Sequence, residues 1–108
     1  MAQTPTISTH VLDTGRGRPA PGVRVALYRV SGSRATRVGS AVTDEDGRVR
    51  ALLEGALEAG AYRIEFDLTD HGTFFSRFAT DFVVKDASRS YHVPLILSPH
   101  SGITYLGS

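Results

Sequence analysis

The chain has 108 residues, of which 41% are hydrophobic and 21% are charged, and its formal net charge is +1. This composition predicts one folded domain over residues 1–108 and gives no electrostatic argument for nucleic acid or an anionic membrane as a partner. The absence of cysteine excludes disulfides, thiolate metal sites and cysteine nucleophiles.

Residues 1–6 have neither the basic segment nor the apolar segment of a secretory signal, and we expect them to form a flexible extension. No apolar run along the chain approaches the length that would span a bilayer. We therefore expect a cytoplasmic protein.

Short runs of alternating apolar and polar residues then follow one another, and this period of two predicts β-strands. In the clearest run, Tyr62, Ile64 and Phe66 fall on one side, with Arg63 and Glu65 on the other. Many short strands at near-regular spacing predict an all-β sandwich or barrel. The predicted strands cover residues 7–12, 23–28, 34–42, 48–53, 62–68, 79–85, 91–98 and 103–106.

Two features modify this pattern. Pro94 lies inside the run 91–98, and because proline lacks a backbone N–H, we expect that strand to lie at a sheet edge or to carry a bulge. A second subunit could add its own strand at such an edge. Helix signals are weak, since Gly55 and Gly60 limit the helix formers of residues 52–59.

Two of the four histidines, His10 and His92, each interrupt an apolar strand pattern. His10 shares a predicted face with Ser8 and Leu12. A lone strand histidine is most often a hydrogen-bonded structural residue, but two on separate strands favour a shared site, because imidazole titrates near neutral pH. A zinc site is a weaker alternative, since no clear third ligand is present.

Arg48 follows the predicted turn at 44–47 and begins a strand. Most such arginines are solvated, but a guanidinium can also bind a planar, oxygen-rich substrate through paired donors. The acidic residues of the turn resemble a calcium loop only superficially, because the later ligands are missing, and they indicate a plain turn. The C-terminal Ser108 would be held in place if 103–106 is a strand.

Several segments together resemble the signatures of the transthyretin-like 5-hydroxyisourate hydrolase family, in order and spacing from Ile7 to Ser108. They are STHVLD at 8–13, GRPAPGV at 17–23, TDEDGR at 43–48, YHVPLILSP at 91–99 and YLGS at 105–108. The resemblance implies a transthyretin-like (prealbumin-like) sandwich of two antiparallel sheets with at most one short helix. It also implies a homotetramer, built as a dimer of dimers, with active sites in the channel between the dimers.

The same resemblance implies hydrolysis of 5-hydroxyisourate in urate degradation, with a small-molecule substrate and neither metal nor organic cofactor. His10, Arg48 and His92 match the family's catalytic positions, while Tyr105 and Ser108 belong to a C-terminal tetrapeptide that lines the site. We expect His10 or His92 to relay a proton from the attacking water. Arg48 would stabilise the oxyanion and Ser108 would orient water or substrate.

The chain departs from the family pattern in two places. Leu106 replaces the arginine of the terminal tetrapeptide, which removes a positive charge near the site or an interface. The region 67–81 is short, so we expect the family helix to be reduced to one turn around residues 70–76.

Two other functions are open to a fold of this kind. The main alternative is a non-catalytic carrier of the transthyretin type, but that branch of the family lacks the two histidines and the arginine. An immunoglobulin-like module is disfavoured, because the chain has neither a signal sequence nor disulfide cysteines.

Overall fold

A computed structural model describes residues 4–108, so the first half of the predicted extension lies outside the described residues. Within residues 4–108 the chain forms ten β-strands and no helix, which confirms the all-β prediction. The strands are β1 Ile7–Asp13, β2 Arg18–Pro19, β3 Arg24–Ser31, β4 Arg34–Val42, β5 Arg48–Val49, β6 Gly60–Asp67, β7 Arg77–Val84, β8 Tyr91–His92, β9 Leu95–Ser98 and β10 Ser101–Thr104.

The strands make two sheets, as predicted. One has the order β10-β9-β1-β2, with β5 and β8 also paired to β1, and the other has the order β4-β3-β6-β7. Pairing is antiparallel except along β1, which runs parallel to β8 and β9. Strand β1 is therefore the central strand of the first sheet and pairs with four others.

The core lies between the sheets and consists of the inward residues of both. Burial of each large apolar side chain stabilises the fold by about 1.5–3 kcal/mol relative to leaving it in water. Among residues 4–108 the two buried polar residues have partners: Thr9 Oγ1 donates to the carbonyl of Val93 at 2.6 Å, and Thr43 Oγ1 to that of Ala20 at 2.7 Å. Side chains with less than 2% exposure include Ile7, Val11, Val23, Leu27, Tyr62, Ile64, Phe66, Leu95 and Leu97.

The short helix implied by the resemblance is absent from the described residues. The single turn of helix expected around 70–76 is absent as well. Residues 69–72 form a hydrogen-bonded turn instead. The carboxylate of Asp67 accepts the backbone N–H of Thr69 at 3.0 Å, and the N–H of Leu68 donates to the carbonyl of Ser76 at 2.8 Å. These bonds close the connection between β6 and β7 as a turn, and the nine residues 68–76 form no helix. Residues 4–108 accordingly contain no helix that could cross a membrane.

Of the two placements expected for Pro94, an edge strand or a bulge, the structure shows no edge strand but an irregularity of the strand. Pro94 separates β8 from β9, and β9 is paired on both sides, with β1 and β10. The missing N–H is accommodated by a break in the strand, and the carbonyl of Pro94 accepts a hydrogen bond from Thr104 Oγ1 at 2.8 Å. The edges next to this region are β10 in one sheet and β7 in the other.

The loop that follows β5 passes close to β4 at Gly39. The backbone N–H of Leu52 donates to the carbonyl of Ile7 at 2.8 Å, and that of Glu54 donates to the carbonyl of Val38 at 2.8 Å. The loop therefore ties the two sheets together. A Cβ on Gly39 would lie 1.8 Å from the carbonyl oxygen of Leu52, a separation that no side chain can adopt.

We expect Gly39→Ala to destabilise the protein by at least about 1–3 kcal/mol, because the added methyl group overpacks a site formed by rigid backbone. Ser40→Ala is the matched control, since Ser40 is the next residue of β4 and is exposed. The free energy of unfolding in urea measures both. Equal stabilities for the two variants would contradict the close approach of the loop to β4.

Candidate functional site

The outer face of the six-stranded sheet gathers the predicted residues. Along β1 the buried residues alternate with the half-buried Ser8 and His10, which point away from the core. Strand pairing sets His10 opposite Arg48 of β5 and Ser8 opposite His92 of β8. Three residues predicted from separate segments therefore lie side by side.

The turn that precedes Arg48 is fixed to β1. Gly47 has a φ of 75°, and a Cβ there would lie 2.4 Å from the carbonyl oxygen of Val11, so glycine alone allows this approach. Asp44 Oδ1 accepts the backbone N–H groups of Arg48 and Asp46, each at 2.9 Å. The hydrogen bond from Arg48 is the main reason that the pKa of the Asp44 carboxyl is lowered. The plain turn predicted here thus places Arg48.

His10 has one ring nitrogen committed to this turn. Its Nε2 lies 2.8 Å from the carbonyl oxygen of Asp46. Because a carbonyl oxygen can only accept, Nε2 must carry the hydrogen and donate. In the neutral ring the free lone pair is therefore on Nδ1.

His92 is held on two sides. Its Nδ1 lies 2.9 Å from Ser8 Oγ, and the backbone N–H of Gly107 donates to the His92 carbonyl at 2.7 Å. A Cβ on Gly107 would lie 2.7 Å from Cδ2 of the His92 ring, so only glycine lets the C-terminal segment pass this closely. Ser8 and Gly107 were not predicted as site residues, although Ser8 shares the predicted face of His10.

The electrostatic surroundings of His92 favour its neutral form. Burial is the largest cause of its lowered pKa, and the positive charges of Arg48 and His10 lower the pKa further. The ring is therefore mostly neutral at pH 7, with a lone pair available to accept a proton. The same shift favours the folded state above the ordinary pKa of 6.5, and this stabilisation is lost as pH falls toward the lowered value.

Two adjoining clefts open onto this cluster, with volumes of about 390 and 340 Å³, and Ser8, Arg48 and His92 line both. Volumes of this order suit a small ligand. Ser108 lines the smaller cleft, next to Gly107. The described residues contain no cluster of three His, Asp or Glu side chains that could hold a metal ion.

Tyr105 does not join this cluster within one chain. Its half-exposed side chain lines a separate, mainly apolar groove, together with Leu106 and residues of β7 such as Val83. Leu106, at the position of the family's arginine, is exposed in the same groove. The structure thus unites His10, Arg48, His92 and Ser108 on one face and places Tyr105 elsewhere.

Residues 7–107 match the sequence model of the HIUase/Transthyretin family. The chain belongs to this family. It is similar to a 5-hydroxyisourate hydrolase of Deinococcus radiodurans, at 44% identity over the whole of both chains. It is also similar to the structure of Klebsiella pneumoniae 5-hydroxyisourate hydrolase, with 34% identity and a TM-score of 0.81 over 95% of this chain and 99% of that one.

Transthyretin itself has the same fold. The sea bream protein in complex with thyroxine matches with 26% identity and a TM-score of 0.83, over 94% of this chain and 93% of that one. The transthyretin-like sandwich expected from the resemblance is therefore confirmed. Because the hydrolase and the thyroxine-bound transthyretin match about equally well, the fold does not decide between their functions.

We expect the pKa of His92 to lie below 6.5 and to rise when Arg48 is replaced by alanine, because a nearby positive charge is removed. Titration of the histidine ring signals by NMR measures this. Arg50→Ala is the matched control: Arg50 lines the larger cleft but does not contribute to the shift of His92. A wild-type pKa above 6.5, or equal shifts in the two variants, would contradict the described arrangement.

Proposed function

We infer that this chain is a 5-hydroxyisourate hydrolase, which opens the substrate ring to give 2-oxo-4-hydroxy-4-carboxy-5-ureidoimidazoline in urate degradation. One observation carries the inference: His10, Arg48 and His92 converge on one face. This occurs in a chain that is similar over its full length to a hydrolase at 44% identity. A location in the cytoplasm and a single domain over residues 1–108 stay predictions.

The chemistry of the clefts favours an enzyme over a carrier of an apolar ligand. The polar side chains of Arg48 and His92 line both clefts. An apolar molecule bound there would strip water from these groups without replacing its hydrogen bonds, which costs free energy. A polar, oxygen-rich ring such as 5-hydroxyisourate can pair with them instead.

His92 is the better candidate for the general base. It lines both clefts and is mostly neutral at pH 7, whereas His10 lines neither cleft and donates through Nε2 to Asp46. In our proposal His92 Nε2 takes a proton from the water that attacks the ring carbonyl. As the ring C–N bond then breaks, the imidazolium returns this proton to the leaving nitrogen.

The other residues act on charge and orientation. The guanidinium of Arg48 stabilises the oxyanion that forms when water attacks the carbonyl. Ser108 orients water or substrate through its hydroxyl or its terminal carboxylate. His10 lines neither cleft within one chain; through its hydrogen bond to the carbonyl of Asp46 it holds the turn that carries Arg48, and it would contact substrate only at the margin of the site. Tyr105 would contact substrate only if another subunit brought it to the cleft.

Purified protein should accelerate the loss of ultraviolet absorbance of freshly generated 5-hydroxyisourate above the spontaneous rate. His92→Ala and Arg48→Ala should each lower kcat/KM by about 100-fold or more, because one removes the base and the other the oxyanion partner. Circular dichroism and thermal unfolding would show that both variants remain folded.

His100→Ala and Arg24→Ala are the matched controls, since both residues lie outside the two clefts, and they should keep wild-type activity. If 5-hydroxyisourate disappears no faster with wild-type protein than in buffer alone, the assignment as an enzyme is wrong. Full activity in His92→Ala would leave the assigned reaction in place but show that His92 is not its general base.

We propose that the chain assembles as a homotetramer, a dimer of dimers. Two observations support association. Among residues 4–108 no strand pairs with the outer edge of β7 or of β10, and edges of this kind can pair with a second copy. Exposed apolar side chains lie along these edges, with Val83 at 59% and Ile103 at 58% exposure. The apolar groove that contains Tyr105 and Leu106 lies beside them.

Analytical ultracentrifugation of the wild type should give about four times the chain mass of 11.6 kDa. Val83→Arg should reduce this mass, because it puts a charge on the proposed interface. Val42→Arg should not, since Val42 is similarly exposed, at 57%, but lies on the opposite edge of its sheet, in β4. A wild-type monomer at micromolar concentration, or equal masses for the two variants, would contradict the proposed assembly.

A further inference from the structure

An imidazole can act as a base only at a nitrogen that has no hydrogen. In neutral His92 one ring nitrogen carries the hydrogen, and which one depends on whether the partner of Nδ1 accepts or donates a hydrogen bond. That partner is the hydroxyl of Ser8, with Oγ 2.9 Å from Nδ1. The hydrogen bonds of residues 4–108 include none at Nε2 of His92. A hydroxyl can donate or accept, so Ser8 can favour either form of the ring.

We propose that Ser8 is a positioning residue for His92: its Oγ accepts the Nδ1–H hydrogen, which leaves the lone pair of Nε2 available in the cleft. The geometry stands independently of any reaction, whereas the kinetic consequence rests on the proposed function. Ser8 does not contact the reacting atoms in this proposal. It acts through the ring that it holds.

The backbone keeps the two side chains together. Ser8 and His92 are direct partners in the parallel pairing of β1 with β8. Hydrogen bonds flank the pair, from the N–H of Tyr91 to the carbonyl of Thr6 and from the N–H of Val93 to the carbonyl of Ser8, both at 2.9 Å. Ser8 is therefore part of the sheet that carries His92, and the position of its hydroxyl does not depend on a mobile loop.

The opposite side of the ring is closed by Gly107, which packs against Cδ2. With Ser8 at Nδ1 and Gly107 at Cδ2, rotation of the ring by half a turn would break the hydrogen bond to Ser8. The ring orientation is thus set by a polar contact and a packing contact together. Nε2 is the nitrogen left for substrate or water.

A hydroxyl suits a ring that gains and loses a proton. When Nε2 takes a proton, Nδ1 keeps its hydrogen and Ser8 Oγ continues to accept it, in a bond that the new positive charge strengthens. No rearrangement is needed during the cycle. The carbonyl of Asp46 has a different effect on His10, because it fixes the hydrogen on Nε2 and leaves only Nδ1 as an acceptor.

The direct test is NMR of protein labelled with ¹⁵N in histidine, since the nitrogen shifts report which ring nitrogen carries hydrogen. We expect wild-type His92 above its pKa to carry hydrogen mainly on Nδ1. Ser8→Ala should move the population toward the Nε2–H form, and Ser8→Thr, which keeps a hydroxyl, should retain the wild-type form. Wild-type His92 with hydrogen mainly on Nε2 would overturn the proposal.

Kinetics on 5-hydroxyisourate give the second readout. Ser8→Ala should lower kcat by roughly tenfold, as expected for one side-chain hydrogen bond, with little change in KM. The acid limb of its pH–rate profile should move to lower pH, because the protonated ring loses an acceptor. Ser8→Thr should restore most of the rate, and Ser40→Ala, on the other sheet, should leave it unchanged.

The two readouts separate this proposal from the proposed function. Wild-type protein without hydrolase activity would remove the function, while the ring nitrogen shifts would still decide the role of Ser8. Active protein in which Ser8→Ala keeps the wild-type rate and Nδ1–H form would overturn the positioning role alone. If Ser8→Ala does not fold, the wild-type shifts and the Ser8→Thr profile still give the answer.

Discussion

The site depends on the pairing of β1 with β5 on one side and with β8 on the other. Ser8 and His92 are 84 residues apart in the chain, yet the parallel pairing sets them side by side. The antiparallel pairing with β5 does the same for His10 and Arg48. The free energy that holds these residues together comes from the core and the sheet rather than from the site itself. The polar side chains of the site therefore need not supply this free energy themselves.

Along β1, residues that pack in the core alternate with residues that face the candidate site. Ile7, Thr9 and Val11 of β1 point into the core, whereas Ser8 and His10 point outward. Because side chains alternate across a strand, a substitution on the outer face changes the cleft without opening a cavity in the core. This separation explains how an enzyme and a carrier can share one sandwich with nearly equal TM-scores of 0.81 and 0.83.

The sequence predicted most of the strands, because alternation of apolar residues directly reflects one buried face. The bounds of β4 were predicted completely, and His10 and His92 were noticed because they interrupt such alternation. Pairing partners are set by long-range packing that no local pattern reports. The parallel pairing of β1, and with it the contact of Ser8 with His92, therefore could not be predicted. The helix implied by the resemblance is absent, and the connection after Asp67 forms a turn in its place.

The two imidazoles show how a partner atom determines what a histidine can do. The carbonyl of Asp46 gives the Nε2 of His10 one role, that of a donor, and in return His10 holds the turn that carries Arg48. The hydroxyl of Ser8 allows both states at His92, so that ring can change its charge without losing its contact. Arg48 adds to this difference, because its positive charge lowers the pKa of His92, while its backbone pairs with that of His10. The proposed base and a fixed donor thus arise from the same residue type on two neighbouring strands.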